Sequence, residues 1–509
     1  MEQKNIKIPV FTNETIFTDS AEQAIDVDFT LPDYCPDILK ILKCRAISRI
    51  SSKGVNGRNI TVDGTVAITV IYSDSNNCLN SYEYQYPFSK SFESDVDTNG
   101  TCLSARTKCE YINCRAVTGR KVDIHGAAGI YIKLTKRRCD EVISDVDDKN
   151  IELLRGVAPA TVPMGSADKY LIIEEEIELG GGQPDIRSLI RYDAAVTVNE
   201  CKLMQSKAVV KGELVVTMLY CPQNGSAQTV RSTLPFSQLI EIEGVNDSCS
   251  GTANATVAYL EIKPRVNATG EARSFMLNAK ILVCCECYCN NDIDVILDAY
   301  SRKYEADIVK NDVCFNKIVR NINDSFNCKK SIEFPEGALC AVSDLWCDAR
   351  TDSVKFEDGN LCISGVVSAY IIANDSDNVP IFYEKPIDFT YKCALGIDSD
   401  NLFSEPKIDI TTANYTITGG NMELRVDLCI NAAIYDCKKI SLIVDVRVNE
   451  KQTAVHSKKC AMTIYFANKG ESVWDIARRY FADVNEVKQI NDITDDMLTA
   501  DSVILVPMN

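Results

Sequence analysis

The sequence predicts a mainly β protein, with three repeated β-sandwich or barrel-like domains followed by a small α+β domain. The first observation behind this prediction is a motif that recurs three times along the 509 residues. The second is that apolar residues alternate with polar ones in each copy, which is the period of a half-buried strand. The third is a change of pattern from residue 461, where two short helical segments stand between two strands.

The recurring motif is a glycine followed by alternating apolar residues, in the segments VDGTVAITVIY, VKGELVVTMLY and ISGVVSAYIIA. Its glycines are Gly64, Gly212 and Gly365, which lie 148 and 153 positions apart. A proline-containing segment follows each copy: PFSKSFE from Pro87, PFSQLIE from Pro235 and PIDFTYK from Pro386. Self-similarity at a nearly constant spacing indicates repeated structural units.

Two further motif pairs keep the offset of 148: CPDILKIL from Cys35 with QPDIRSLI from Gln183, and YINCRAV from Tyr111 with YLEIKPRV from Tyr259. We therefore predict domains at residues 1–150, 151–310 and 311–455. The third copy lacks a Pro-Asp-Ile element and is the most divergent. The remaining segments are rich in Val, Ile, Thr and Tyr and end in turn residues, as strands do. Only the stretches PDILKILKC and PDIRSLIRY suggest a helical turn or two after the proline.

Charge and hydropathy restrict the partners. The formal charge of −18 disfavours nucleic acid, because nucleic acid binding depends on Lys and Arg. An anionic membrane surface is disfavoured for the same reason. No apolar run approaches the roughly 20 residues of a membrane span, so we predict no transmembrane segment. The first residues, MEQKNIKIPVFTNET, show no secretory signal, which predicts a protein that stays in the cytosol.

Cysteine is the most unusual feature of the composition, with 23 residues spread along the chain. Four of them lie in KILVCCECYCNN, residues 280–291. As a strand, this segment would place Cys285, Cys287 and Cys289 on one face and Cys284 on the other. A structural zinc site would need a second C-x-x-C, which the sequence lacks. We therefore interpret these residues as small apolar strand thiols rather than a metal or redox centre, and predict no cofactor.

The domain at residues 461–509 follows a strand–helix–helix–strand order. Ser472 is a suitable N-cap for the helix VWDIARRYF, whose apolar residues recur with helical spacing. A second helix, VNEVKQIN, is followed by the strand SVILVP. With the motif GESVWDIARRY, this order resembles the LysM domain, a small βααβ fold. The resemblance implies binding to glycans that contain N-acetylglucosamine, such as peptidoglycan.

The resemblance to LysM also implies where a ligand would bind, namely in a groove between two loops. Carried onto this chain, the groove comprises Gly470, Glu471, Ser472, Val473 and Trp474 from one loop, and Asn491, Asp492, Ile493 and Thr494 from the other. Helical spacing offers an alternative for Trp474, which could belong to the core. Asn491 could equally end the second helix.

The three β-rich copies followed by a LysM domain resemble the SipL-type spore coat morphogenetic proteins, and the repeated unit resembles their SPOCS domain. The resemblance implies a non-enzymatic structural adaptor in the mother-cell cytoplasm, at the forespore surface and in the spore coat. Its LysM domain would hold the scaffold ATPase protein of the coat. The alternative function is a LysM protein that binds peptidoglycan or another glycan in the cell wall or the spore cortex.

Catalytic motifs are missing from the sequence. It contains no phosphate-binding loop, no G-x-S-x-G elbow and no H-E-x-x-H segment. His125 and His456 are its only histidines, so acid–base catalysis has few candidates. Asp292 and Asp294 lack the other ligands of a calcium loop. We therefore predict that the protein is not an enzyme; a cell-wall hydrolase would need a carboxylate pair or metal motif that the sequence does not offer.

Overall fold

The computed structural model describes residues 5–98, 100–223, 225–267, 270–334, 341–397, 399–418, 421–453 and 461–507. Three consecutive units, each made of two antiparallel sheets, precede a small module of two strands and two helices. The predicted mainly β fold with repeated domains and a small LysM-like module is therefore confirmed. We refer to residues 5–453 as the body and to residues 461–507 as the LysM-like module.

The first unit shows the topology that the other two repeat. Its strands are β1 Asn5–Thr30, β2 Lys40–Asn56, β3 Asn59–Ser73, β4 Leu79–Glu93, β5 Thr101–Ala116 and β6 Lys121–Val146. One sheet has the order β2-β3-β4 and the other β1-β6-β5, with every pair antiparallel. The core lies between the two sheets because their apolar residues alternate inward.

The second unit repeats this order with β7 Ile151–Glu178, β8 Ile186–Met204, β9 Lys207–Pro222, β10 Gln228–Glu241, β11 Ser250–Val266 and β12 Ala272–Ser301. The third has β13 Tyr304–Glu333, β14 Ala341–Glu357, β15 Asn360–Asn374, β16 Pro380–Ala394, β17 Leu402–Ser404, β18 Lys407–Thr418 and β19 Asn421–Thr453. There β17 and β18 both pair with β19, in the place of a single strand. Because β13 begins at Tyr304, it crosses residue 310, which the sequence analysis placed in the second domain.

The motif glycines lie under phenylalanine rings. Gly212 is the cross-strand partner of Phe236, and Gly64 pairs with Phe88 in the same way. A Cβ atom on Gly212 would stand 2.2 Å from the Thr197 carbonyl oxygen and 2.6 Å from the Phe236 ring. In the third unit the partner of Gly365 is Phe389, three residues after the proline at which the sequence motif begins. Glycine is thus required because the ring of the next strand occupies the Cβ position.

The predicted helical turns at the two Pro-Asp-Ile stretches are wrong. Residues 36–39 are an irregular segment that leads into β2, and Ile186 already belongs to β8. Tertiary contacts fix this conformation: the Tyr72 hydroxyl donates to the Pro36 carbonyl at 3.0 Å, and Arg120 Nη1 donates to Asp37 Oδ1 at 2.7 Å. These partners satisfy polar groups that a helical turn would otherwise use.

The second unit repeats these contacts. Tyr220 donates to the Pro184 carbonyl at 3.1 Å, and Arg273 Nη1 donates to Asp185 at 2.6 Å. The third unit has Ala373 at the position of the two tyrosines, judged from the spacing to its motif glycine. The third unit therefore lacks both the tyrosine and the Pro-Asp-Ile element that the tyrosine contacts in the other two units.

The three β2-β3-β4-type sheets meet at one apolar centre. We call it the central cluster; it comprises Leu42, Ile71, Leu79, Ile190, Leu219, Cys221, Trp346 and Ile372. Ile71, Leu219 and Ile372 occupy the same position in the three units, seven residues after each motif glycine. All three side chains are fully buried. The long strands of the three units share two further clusters, so each unit contacts the other two.

Ion pairs accompany the central cluster. The cross-strand partners of Ile71, Leu219 and Ile372 are Lys43, Arg191 and Asp344. These three charged residues therefore occupy equivalent positions in the three sheets. Between the second and third units, Arg191 donates to both carboxylate oxygens of Asp344, at 2.6 and 3.1 Å. Both side chains are almost completely buried. Arg45 pairs with Asp193 between the first and second units at 2.5 Å, and these residues are also equivalent.

We expect Gly212→Ala to lower the stability of the protein by about 1–3 kcal/mol, because the added methyl group overlaps a carbonyl oxygen and a ring. Urea unfolding would measure the change. Gly181→Ala is the matched control, since a Cβ atom there meets nothing within 4 Å. Equal stabilities of the two variants would contradict the packing account.

We expect Asp344→Asn to destabilise the body by about 3 kcal/mol, because the buried Arg191 guanidinium then keeps only its longer contact with the Asp193 carboxylate, at 3.4 Å. Glu200→Gln serves as the control: its pair with Lys211 is exposed, and the loss should stay below about 1 kcal/mol. Thermal unfolding of both variants checks the difference. If the double replacement Arg191→Met and Asp344→Leu proved as damaging as Asp344→Asn alone, an unpaired charge would not be the cause.

Candidate functional site

The LysM-like module has the predicted order of elements. They are β20 Met462–Ala467, α1 Val473–Arg479, α2 Val484–Ile490 and β21 Ser502–Pro507, with β20 and β21 antiparallel. Ser472 is the N-cap of α1, because its side chain accepts from the Trp474 backbone N–H at 3.1 Å. Ile476 and Val487 lie in the core as their spacing predicts, whereas Ile490 is 42% exposed.

The first predicted groove loop turns at Gly470, whose φ is +87°. Glu471 accepts a hydrogen bond from the Tyr465 hydroxyl at 3.3 Å, and its backbone carbonyl accepts from Leu498 N–H at 3.0 Å. Val473 is completely buried. The side chains of this loop that remain partly or fully open to a ligand are therefore those of Glu471 and Ser472.

The second predicted groove loop begins with Asn491, the C-cap of α2. Its side chain donates to the Val487 and Leu505 carbonyls and accepts from Leu505 N–H, each at 2.8 Å. Asn491 thus joins the second helix to the last strand. Asp492 and Thr494 are exposed, and Ile493 is half-buried.

Backbone hydrogen bonds join the first loop to residues that follow the predicted groove residues of the second loop. Gly470 N–H donates to the Leu498 carbonyl at 2.8 Å, and Val473 N–H donates to the Asp496 carbonyl at 3.0 Å. The structure therefore brings residues 470–473 against 496–498. Asp492, Ile493 and Thr494 lie further along the same connection, between α2 and this contact.

Trp474 lies at the contact between the LysM-like module and the second unit of the body. Its ring meets the Tyr300 ring edge-on, with centroids 4.9 Å apart, and only 7% of Trp474 is exposed. The indole N–H donates to Asp298 Oδ2 at 3.1 Å. Helical spacing thus placed Trp474 correctly among buried residues, and part of its contact surface comes from the body.

Asp298 organises this contact from β12. Besides Trp474, it accepts from Arg478 at 2.5 Å and from Lys310 of the third unit at 2.9 Å. Burial by itself would raise the pKa of this carboxyl. Hydrogen bonds from Lys310 and Trp474, with the charge of Arg478, bring the pKa below its ordinary value. One carboxylate therefore connects the module to two units.

Two further contacts hold the module. The Tyr300 hydroxyl donates to the Ala482 carbonyl at 2.7 Å, and Arg302 Nη1 donates to Asp483 at 2.6 Å. Asp483 is also the N-cap of α2. The sequence analysis missed Asp298, Tyr300 and Arg302. A buried aspartate within the apolar strand segment VILDAY is the one signal that could have drawn attention to them.

A cleft of about 1160 Å³ opens beside this contact, between α1 and the ends of β13 and β19. Glu471 and Ser472 of the first loop line it from the module, and Tyr304, Asp307 and Gln452 line it from the third unit. The walls combine tyrosine rings, carboxylates and amides. Such walls can hydrogen-bond a polar ligand and stack against its apolar faces.

A second surface of the module is apolar and exposed. Met462, Ile464 and Phe466 alternate along β20 with exposed fractions of 46, 58 and 76%, and Phe466 pairs with Val503 of β21, which is 55% exposed. Because side chains on alternate positions share a face, these residues form one face of the two-stranded sheet. We call it the outer sheet face.

The cysteine-rich segment is part of β12, as predicted. Cys285 and Cys287 face the core of the second unit, and Cys289 packs against that core. Cys284 points to the other side, where burial raises the pKa of its thiol to about 12. The described cysteines are free thiols, while Cys340 and Cys460 lie outside the described residues. Within the described ranges, no group of three or more His, Cys, Asp or Glu side chains could hold a metal ion.

His125 lies on β6 between two carboxylates. Asp26 is 2.5 Å from Nδ1 and Asp123 is 3.2 Å from Nε2, and all three side chains are accessible to solvent. Hydrogen bonds with Asp26 and Asp123 raise the pKa of the imidazole. Both ring nitrogens are thus engaged by carboxylates rather than by a nucleophile. His456 lies outside the described residues.

The comparison with protein families matches the chain in three places. The model for the SipL SPOCS domain matches residues 37–117 and 185–265. These ranges run from the Pro-Asp-Ile stretch through β5 in the first unit and to the penultimate residue of β11 in the second. The model for the LysM domain matches residues 467–507. The domain composition is that of a SipL-type protein with LysM.

The SipL SPOCS and LysM matches connect the chain to sporulation and the spore coat, and to a domain type that binds glycans. Both are non-catalytic domain families. The third unit has the same strand order as the two units that the SPOCS model matches. A comparison with curated proteins and one with solved structures gave no match. Neither α1 nor α2, the helices in the described part of the chain, is long and apolar enough to cross a membrane.

We expect Asp298→Asn to loosen the LysM domain from the body while both parts stay folded, because hydrogen bonds to a charged group contribute about 1.5–3 kcal/mol each. Hydrogen exchange at α1 and β12 should rise in this variant. Asp292→Asn is the control, since Asp292 is exposed on the same strand. Unchanged exchange at α1 would contradict the role of Asp298.

The same contact should depend on pH. Because the pKa of Asp298 is lowered in the folded protein, its stabilising effect is present above the ordinary pKa of about 4 and is lost as the pH falls through the folded value. After correction for the intrinsic pH dependence of amide exchange, the protection of α1 should therefore fall below about pH 4 in the native protein and change less in Asp298→Asn.

Proposed function

We propose that the protein is a non-enzymatic structural adaptor of the endospore coat, which tethers coat layers to a scaffold protein on the forespore surface through its LysM domain. The observation that carries this proposal is the attachment of a LysM domain to a closed body of three units by the contacts of Asp298. A domain held in this way presents its open surfaces in a fixed orientation to the body. That is what an adaptor between two layers requires.

The proposed partner is the scaffold ATPase protein of the coat, in the mother-cell cytoplasm. Two surfaces of the LysM domain are available for it. The open residues of the predicted groove loops are one, and the outer sheet face is the other. An exposed apolar face beside polar loops is typical of protein-binding surfaces. The charge of −18 favours a partner surface that is neutral or basic.

Glycan binding is the second candidate function, and the LysM match itself favours it. In this case oligomers of N-acetylglucosamine would occupy the groove between the loops. The cleft beside Glu471 and Ser472 offers further aromatic and polar groups. The site of action would then be the cell wall or the spore cortex.

Titration of the purified full-length chain distinguishes the two functions. We expect it to bind the scaffold ATPase protein and to show no saturable binding of N-acetylglucosamine oligomers. Removal of residues 461–509 should abolish scaffold binding and forespore localisation, with the body still folded because each unit has its own core. Saturable oligomer binding without scaffold binding would replace the adaptor function with the glycan function.

Loop variants test the predicted groove. Ser472→Asp keeps an N-cap residue and alters the loop surface, and Thr494→Arg changes an exposed position. We expect each to weaken scaffold binding by about tenfold, equal to roughly 1.4 kcal/mol. Thr499→Ala, another exposed change in the same connection, is the control. Ile476→Asp should unfold the module, because it places a charge in the core.

A variant of the outer sheet face locates the partner surface. Phe466→Ser removes an apolar side chain that is 76% exposed and leaves the core untouched, and Val157→Ser on the body is its control. If Phe466→Ser weakens binding and the loop variants do not, the scaffold protein binds the sheet rather than the groove.

A further inference from the structure

Two cysteines of the second unit stand in direct contact. The sulfur atoms of Cys249 and Cys289 are 2.8 Å apart. They lie one position beyond Ser250 and Tyr288, which are cross-strand partners in β11 and β12. The two cysteines therefore face each other at the end of a β ladder.

The spacing of the neighbouring ladder suits a disulfide. Residues directly opposite in antiparallel strands have Cα atoms about 4.5–5.5 Å apart. Disulfides join Cα atoms that are about 4.4–6.8 Å apart. Cys249 and Cys289 directly adjoin the paired Ser250 and Tyr288, and their sulfur atoms are already in contact.

Other thiols nearby are less suited. Cys201 lies across the sandwich from Cys285 with 3.7 Å between sulfur atoms, and Cys285 and Cys287 are 3.9 Å apart on one strand. All three face or border the core of the unit, as Cys249 and Cys289 do. Cys289 is half-buried and stands at the end of this row, where the connection from β10 reaches β11. The contact with Cys249 is therefore both the closest and the one nearest to a connecting loop.

We propose that Cys249 and Cys289 are an oxidative modification site, a dithiol that a low-molecular-weight disulfide converts into an intramolecular disulfide bond. The thiolate of Cys289 attacks one sulfur of the small disulfide, forms a mixed disulfide and releases one small thiolate. The thiolate of Cys249 then attacks the Cys289 sulfur and releases the second. Two protein thiols are oxidised and the small disulfide is reduced to two thiols, because the two released thiolates take up the two protons that the protein thiols lose.

The order of the two steps follows from exposure. Cys289 is half-buried whereas Cys249 is buried, so Cys289 meets the small disulfide first. Cys289 also donates its S–H to the Cys249 sulfur. Burial, with this hydrogen bond, raises the pKa of Cys289 to about 11. Because thiolates are the attacking species, the reaction is slow near neutral pH and accelerates as the pH rises.

The bond would act on the strand that holds the LysM domain. Cys289 and Asp298 are both on β12, and Cys249 precedes β11, the neighbour of β12. A disulfide here closes the β11–β12 hairpin at its open end. The reduced protein of a reducing cell and the oxidised protein outside it would differ by this one covalent bond.

The test uses the full-length protein, purified with reduced thiols and incubated under native conditions with glutathione disulfide at several pH values. After free thiols are blocked with iodoacetamide, peptide mass mapping should find Cys249 linked to Cys289, with two hydrogens lost. The thermal midpoint should rise by roughly 5–10 °C and return after reduction. Cys249→Ser and Cys289→Ala should each abolish the shift, whereas Cys201→Ser should keep it.

Three results would overturn the proposal. One is a dominant bond between Cys201 and Cys285. Another is a mixed glutathione disulfide at either cysteine that does not resolve. The third is a thermal shift that persists in Cys249→Ser. Because the mapping is done on the native sequence, the proposal can fail even if a variant does not fold.

Discussion

The mutual burial of Ile71, Leu219 and Ile372 is the constraint on which the rest of the structure depends. A single six-stranded unit has its own core between two sheets, but it leaves this apolar position open. Closure of the three units around the central cluster removes it from water, and the long strands then meet in their own clusters. The relative placement of the units, and with it the position of β12, follows from that closure.

Ion pairs add direction to this closure. A purely apolar centre would accept the units in more than one order, because hydrophobic contact is not directional. Arg191 and Asp344 occupy equivalent positions in neighbouring units and carry opposite charges, and the same is true of Arg45 and Asp193. An arrangement with like charges together would be unfavourable. The chain thus specifies the order of the three units around the central cluster by differences among its repeats.

The repeat and the LysM elements were predictable because both depend on local pattern. Alternation fixes which face of a strand is buried, and Ser472 with its following apolar residues fixes the start of α1. The Pro-Asp-Ile stretches were mispredicted because Arg120 and Tyr72, remote in sequence, decide their conformation. The surroundings of Trp474 were unpredictable for the same reason, since its partner Asp298 is 176 positions away. Local propensity gives no information on contacts of that separation.

Because three units share one chain with one LysM domain, the chain sets how many LysM domains each molecule offers for binding. A symmetric assembly of three separate chains would present three LysM domains, and multivalent attachment would strengthen its binding without any new contact. Here the aspartate that receives Trp474 and Arg478 lies on β12 of the second unit. One molecule therefore offers a single LysM domain for every three units. Under the proposed adaptor function, its attachment would have the strength of one contact, and a dense layer would need many copies side by side rather than tighter binding by each.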